Sequence, residues 1–180
     1  MINKDHAKSD FRKSCISRLR FISKCTKIKK DKIIVEKLLK VIKELSAKKI
    51  LIYIPMDMEV NVLPLINTLR KRRGFEVYVP YMCGDSFKAV KYRLPLEIKR
   101  FGIKEPRNSF MSAKLDLAIV PIVGVDNAGK RIGFGKGMYD RFFYRLRTKP
   151  TVVFTQTTLC MTDQNLTNEY DIKADYIITS

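Results

Sequence analysis

Apolar residues in the first fifty positions recur at helical spacing. Phe11, Cys15, Leu19 and Ile22 fall roughly on one side of a basic helix predicted over 5–22. Ile34, Leu38, Val41 or Ile42, and Leu45 mark a second helix over 31–47. The pattern then changes. "KILIYIP" (49–55) is a short, almost continuous apolar run ended by Pro55, as expected of a strand covered on both faces. "EVNVLPLINTLRKRRG" (59–74) predicts a helix that stops at Gly74, with Arg and Lys in the last turn where the helix dipole favours cations.

"FEVYVP" (75–80) is a second strand and "SFKAVKYR" (86–93) a third, shorter one. Residues 94–114, which include "FGIKEP" at 101–106, read as surface connection. "LDLAIVPIVGVD" (115–126) returns to the buried-strand pattern, and Met138, Phe142 and Leu146 keep helical register after it. "TVVF" (151–154) and "DYIIT" (175–179) complete the strands. Strands alternating with helices predict an α/β sandwich with a mostly parallel central sheet flanked by helices on both faces. With no internal repeat, low-complexity tract or linker, residues 1–180 are expected to form one domain.

Composition narrows the chemistry. No run approaches the roughly 20 apolar residues of a membrane span, and "MINKDHAKSDFRKS" has no apolar core of a signal peptide. A cytoplasmic location and no membrane partner are the expectations. Cysteines at 15, 25, 83 and 160 form no C-x-x-C pair or zinc template, so they are expected to be reduced. The only histidine, His6, lies in a terminal segment read as mobile, which argues against imidazole-based catalysis. Net charge is +18, and residues 1–50 supply +11 of it through 16 Lys and Arg against 5 Asp and Glu. Such a surface attracts anions, or is simply a solvated basic face, since no aromatics interleave with the cations.

The densest signal is "RIGFGKGMYDRFF" (131–143), where three of the chain's eight glycines fall within five residues. Strand, glycine-rich loop and helix in succession give the layout of a phosphate site. Glycines allow close backbone approach, Lys136 and Arg131 add charge, and Asp140 in the first helical turn is placed to hold Mg²⁺. The spacing is neither G-x-x-x-x-G-K-[ST] nor G-x-G-x-x-G. From the loop alone, turn glycines beside a solvated lysine remain an equal alternative.

"DNAGKRIGFGKGMYDRF" (126–142) resembles the signature D-x-x-G-x-R-L-G-x-G-x-G-Y-Y-D-R of the 5-formyltetrahydrofolate cyclo-ligase family, also called methenyltetrahydrofolate synthetases. Four further blocks are similar in order: "KSDFR" (8–12), "YIPMDMEVNVLPLI" (53–66), "FGIKEP" and "EYDIKADYIIT" (169–179). The resemblance implies an ATP-dependent ring closure of 5-formyltetrahydrofolate to 5,10-methenyltetrahydrofolate, with ADP and phosphate released. In that chemistry the formyl oxygen accepts the γ-phosphoryl group, N10 attacks the activated carbon, and phosphate leaves. Positioning and charge neutralisation then matter more than acid-base catalysis.

Carried over by position, the resemblance implies that Lys8 and Arg12 touch the nucleotide. Arg131, Gly133, Phe134, Gly135, Lys136, Gly137, Met138 and Tyr139 would wrap the ATP phosphates, with Lys136 and Arg131 as the catalytic cations. Ile54, Glu59, Phe134, Gly135, Lys136, Gly137 and Met138 would face the folate, Glu59 by accepting pterin N–H donors. Asp140 and Asp171 would coordinate Mg²⁺, with Asp175 competing for the second place. The chain departs from the family at Ile122 and Val125, where glycine and phenylalanine are usual. It also departs at Met138, for the first tyrosine of Y-Y-D, and at Tyr170, where histidine is common.

Reduced folate and ATP are thus the expected partners, of a monomer, with nucleic acid not expected. Two alternatives stand beside this reading. One is a nucleotide-binding relative with an altered substrate or lost activity; the other is a basic nucleic-acid-binding α/β protein.

Overall fold

The structure is a computed structural model that describes residues 4–99, 102, 104–108 and 114–180. No Gly or Pro occurs before Pro55, and the chain opens as two helices, α1 (Lys4–Cys25) and α2 (Lys27–Glu44). His6, expected in a mobile tail, lies on α1 and faces Asp10 one turn on, at 3.3 Å. The apolar stripe of α2, Ile34, Leu38 and Ile42, is buried as its spacing requires. The helix ends at Ser46 (φ 51°), where Ala47 N–H reaches Ile42 O and Ser46 N–H reaches Lys43 O. That paired closure of the last turn usually uses glycine.

Strands β1 (Lys49–Ile52), β2 (Glu76–Cys83), β3 (Ser86–Lys91), β6 (Leu117–Pro121), β9 (Thr151–Thr155) and β10 (Tyr176–Ile178) form one sheet in the order β10-β9-β6-β1-β2-β3. All pairings are parallel except β2 with β3, which form an antiparallel hairpin at one edge. In register, Ile50 faces Leu117 and Val77, and Ile52 faces Ile119.

Alternation along the strands separates two cores. Ile50, Ile52, Leu117, Ile119, Val77 and Val79 pack with α2 and with α3 (Leu63–Lys71) on one face. Leu51, Tyr78, Ala118, Val120, Val152 and Phe154 pack with α4 (Met138–Tyr144) on the other. Both faces are therefore covered, which is why these strands read as unbroken apolar runs. Each Val, Leu, Ile or Phe among them contributes about 1.5–3 kcal/mol on full burial. Phe142 stacks on Phe87 of β3 with ring centroids 4.3 Å apart, which pins α4 to the edge hairpin. The expected α/β sandwich with helices on both faces is the observed fold.

Several boundaries differ from the sequence reading. The helix expected from 59 begins at Leu63, because residues 59–62 turn inward and bury Glu59, Val60 and Val62. Pro64 then sits in the first turn, where no intrahelical donor is required. The strand expected over 115–126 is interrupted after Pro121, and Gly124–Val125 (β7) pairs instead with Arg131–Ile132 (β8). The connection at 94–114 contains the short pair β4 (Glu97–Ile98) and β5 (Lys104–Glu105), and Glu105 is buried while accepting Met82 N–H. Of the "FGIKEP" block, Phe101 and Ile103 lie outside the described residues.

The reduced-cysteine expectation is overturned at two positions. Cys15 of α1 and Cys160, 145 residues apart, are joined by a disulfide, whereas Cys83 is free and exposed. Sequence spacing gives no hint of a bond between such distant elements.

Candidate active site

Strand order reverses between β1 and β6: the chain runs from β1 to β2 on one side, and from β6 to β9 and β10 on the other. In open parallel sheets, a crevice forms at such a point beyond the carboxyl ends of the strands. A cavity of about 320 Å³ lies there, lined by Tyr53 and Ile54 just after β1 and by Pro121 at the end of β6. Eight of the residues singled out from sequence line it: Ile54, Glu59, Arg131, Phe134, Lys136, Gly137, Met138 and Tyr139.

The inward turn after β1 makes one wall. Glu59 Oε2 accepts Met56 N–H at 2.9 Å, and Met56 O accepts Glu59 N–H at 3.0 Å, so the carboxylate is locked beneath the turn. Glu59 lies four residues before α3 and is not part of the helix expected from 59. Burial pushes its pKa up to about 7, opposed by the Met56 N–H and by the charges of Arg131 and Lys27. Near neutral pH such a group both accepts and donates hydrogen bonds. Burial also raises the hydroxyls of Tyr53 and Tyr139, with Glu59 nearby pushing the same way.

The glycine segment makes the opposite wall. Arg131, in β8, is buried: its Nε donates to Pro121 O at 3.1 Å, Nη1 lies 3.7 Å from Asp140 Oδ2, and the guanidinium sits 4.8 Å above the Tyr139 ring. The loop folds back over this group. A Cβ at Gly133 would lie 2.3 Å from Arg131 Nη1, so glycine there lets the guanidinium keep its seat. Gly135 has φ +94°, a conformation that side chains avoid. Gly137 caps α4 and Lys136 lines the cavity beside it. α4 has only seven residues, so its N-terminal dipole is short.

Helix α1 reaches the outer side of the same loop. Arg12 Nε donates to Gly133 O at 2.7 Å, and Lys8 Nζ pairs with Asp171 Oδ2 at 2.7 Å. Asp140 and Asp171 are tied together through the backbone, since Ile172 N–H donates to Asp140 Oδ1 at 3.3 Å. Asp175 is engaged elsewhere: its Oδ2 accepts Val152 N–H at 2.7 Å at the start of β9. No group of three or more His, Cys, Asp or Glu able to hold a metal occurs among the described residues. Two carboxylates beside a cationic glycine-rich loop are a donor set that suits Mg²⁺, which takes one or two carboxylates and completes its shell with phosphate and water oxygens.

Sequence reasoning missed Tyr53, Met56, Met58, Pro80, Met82 and Pro121. Met56, Met58 and Met82 with Met138 make four of the chain's seven methionines on this one cavity and give it flexible, polarizable walls. The ends of adjacent strands, at Tyr53 and Pro121, were the available signal. The departures at Ile122 and Val125 fall in the core packed against α4, not on the cavity wall; only Met138 faces it.

With this geometry in place, comparison with known proteins is specific. A model of the 5-formyltetrahydrofolate cyclo-ligase family matches residues 4–180. The chain is 28% identical over 141 residues to the 5-formyltetrahydrofolate cyclo-ligase of Haemophilus influenzae, covering 73% of this chain and 75% of that one. The mouse (Mus musculus) cyclo-ligase is 24% identical, covering 96% of this chain and 93% of that one. The solution structure of Aquifex aeolicus 5,10-methenyltetrahydrofolate synthetase superimposes with a TM-score of 0.80 at 26% identity, covering 96% and 89% of the two chains. No helix among the described residues is long and apolar enough to cross a membrane.

Proposed function

Because the chain belongs to the 5-formyltetrahydrofolate cyclo-ligase family, we propose that it converts 5-formyltetrahydrofolate to 5,10-methenyltetrahydrofolate with ATP and Mg²⁺, releasing ADP and phosphate. The observation that carries this reading is the facing of the buried Glu59 and the Arg131–Lys136 loop across one cavity. An apolar cleft with few polar groups suits a pterin, and a cationic glycine loop suits a phosphate chain.

In this reading Glu59 accepts pterin N–H donors and fixes the ring, with Ile54 and Met138 against its faces. The glycine loop places the γ-phosphoryl group beside the formyl oxygen. Arg131 and Lys136 neutralise charge as the P–O bond to ADP breaks and the bond to the formyl oxygen forms. N10 then attacks the formyl carbon and gives up its proton to the departing phosphate or to water, the C–O bond breaks, and phosphate leaves carrying the formyl oxygen. Arg131 does not act as a proton donor; held by Pro121 O and by Asp140, it is pre-oriented for an anion.

Lys8 and Arg12 now rest on Asp171 and on Gly133 O. With nucleotide bound they would turn to phosphate oxygens, and Asp171, still accepting Asn168 N–H, would join Asp140 in holding Mg²⁺. The metal supplies charge neutralisation across the phosphates. The bond from Ile172 N–H to Asp140 Oδ1, which sets the backbone next to Asp171 against Asp140, favours Asp171 over Asp175 for that place.

The test mixes purified protein with 5-formyltetrahydrofolate, Mg²⁺ and ATP and follows the methenyl product by its near-ultraviolet absorbance. Product that appears only with ATP supports the reading. Folded protein that binds ATP and forms no methenyl product removes it.

A further inference from the structure

Helix α1 carries Lys8 and Arg12, yet its seat on the molecule is narrow. Its inward stripe is Lys4, Lys8, Arg12 and Cys15, at spacings that place them on one helix face. Each has a partner on the loop or on the C-terminal segment. Lys4 Nζ donates to Thr167 O at 2.7 Å, Lys8 Nζ to Asp171 at 2.7 Å, and Arg12 Nε to Gly133 O at 2.7 Å. Cys15 is bonded to Cys160. Around the disulfide Phe11, Ile16, Val123 and Phe134 form a small cluster separate from the two main cores, and Phe134 belongs to the glycine loop itself.

These ties do not respond alike to a ligand. On the reading above, nucleotide phosphates draw Lys8 away from Asp171 and Arg12 away from Gly133 O. Two of the three polar ties of the stripe are then exchanged for the ligand. The Lys4–Thr167 O bond and the disulfide stay in place, and of these two ties only the disulfide is covalent.

We propose that Cys15 and Cys160 are positioning residues for the ATP half of the reaction: their disulfide keeps α1 docked so that Lys8 and Arg12 meet the phosphates, and its reduction weakens ATP without weakening folate. The proposal rests on the reading of the site given under Proposed function. Folate affinity is spared because the residues assigned to the pterin under Proposed function, Ile54, Glu59 and Met138, belong to the turn after β1 and to α4, not to α1. Reduction by a dithiol is balanced chemistry. One thiolate attacks a protein sulfur, the second thiol closes the reagent to a cyclic disulfide, and two electrons and two protons pass to the protein as thiols at Cys15 and Cys160. Both sulfurs are buried, Cys15 completely, so reduction proceeds through transient opening of α1.

If α1 is docked about one time in ten after reduction, the apparent affinity for ATP falls about tenfold, while saturating ATP restores the rate. The experiment measures KM for ATP, KM for 5-formyltetrahydrofolate and kcat, before and after dithiothreitol, with the two thiols verified by alkylation and intact mass. The expected result is a KM for ATP raised about tenfold, a folate KM and kcat within about twofold, and reversal on reoxidation. Cys15→Ala shows the reduced values without reductant, and Cys83→Ser, at the free exposed thiol, retains the redox response. An unchanged KM for ATP in fully reduced, folded protein overturns the proposal. So does a parallel loss in both KM values and kcat, which is what general loosening produces, or a response abolished by Cys83→Ser. If the oxidised protein forms no product, the proposed reaction fails instead. Titration with a fluorescent ATP analogue then still decides the latch, weaker binding on reduction supporting it and unchanged binding removing it.

Discussion

Replacing Glu59 by glutamine removes one ionisation and keeps an oxygen for Met56 N–H. Glu59 is 8% exposed, and burial pushes its pKa up to about 7 in the folded protein against 4.5 ordinarily. Between those values the unfolded chain releases a proton that the folded chain retains. The unfolded state binds fewer protons there, so stability falls as pH rises through the window. The carboxylate costs little below it and the full amount above about pH 7. One pKa unit corresponds to about 1.4 kcal/mol, so the whole shift is worth about 3 kcal/mol. Glu59→Gln escapes that loss. Parent and variant should have similar stability at about pH 4, and the variant should be more stable by about 3 kcal/mol at about pH 8. Urea unfolding followed by circular dichroism across that range measures the difference directly. Two curves that stay parallel at every pH would refute the buried-carboxylate argument. Activity should move the other way: the folate KM rises in the variant, and the fall in the parent's KM as pH passes about 7 flattens.

Asp140→Asn removes an oxygen charge beside Arg131 and Ile172 N–H, and should lower methenyl formation at least about tenfold, with partial recovery at high Mg²⁺ concentration. Asp126 is fully buried and accepts Ala128 N–H, Lys130 N–H, Thr167 N–H and the Thr167 hydroxyl, joining the glycine segment to the C-terminal segment. Asp126→Asn should cost about 2–3 kcal/mol, because an amide nitrogen would face N–H donors; the urea midpoint reads it. Gly133→Ala forces the Arg131 guanidinium from its seat. Its kcat should fall by an order of magnitude or more, as expected when a charge-stabilising donor is displaced, while the unfolding midpoint moves by about 1–3 kcal/mol equivalent.

The alternation of apolar runs and helical stripes made the sheet legible, because strands covered on both faces leave unbroken signals such as "LAIVP". Residues 59–62 were not legible as a turn, since their apolar positions suit a helix equally well. Only the closure of Met56 on Glu59 and the burial of Val60 and Val62 decide between them. The glycine segment announced itself through composition, and the structure brings Glu59 opposite it across the cavity. Tyr53, Pro80 and Pro121 were hidden because their place depends on which strands become neighbours, a property of the sheet and not of any local pattern. The Cys15–Cys160 bond is equally non-local.

The central claim is that the formyl oxygen becomes a phosphate oxygen. It is tested most directly by supplying 5-formyltetrahydrofolate labelled with ¹⁸O in the formyl group and weighing the phosphate released. Phosphate carrying one ¹⁸O atom, formed in step with methenyl product, is the predicted result. Unlabelled phosphate accompanying that product would contradict the account.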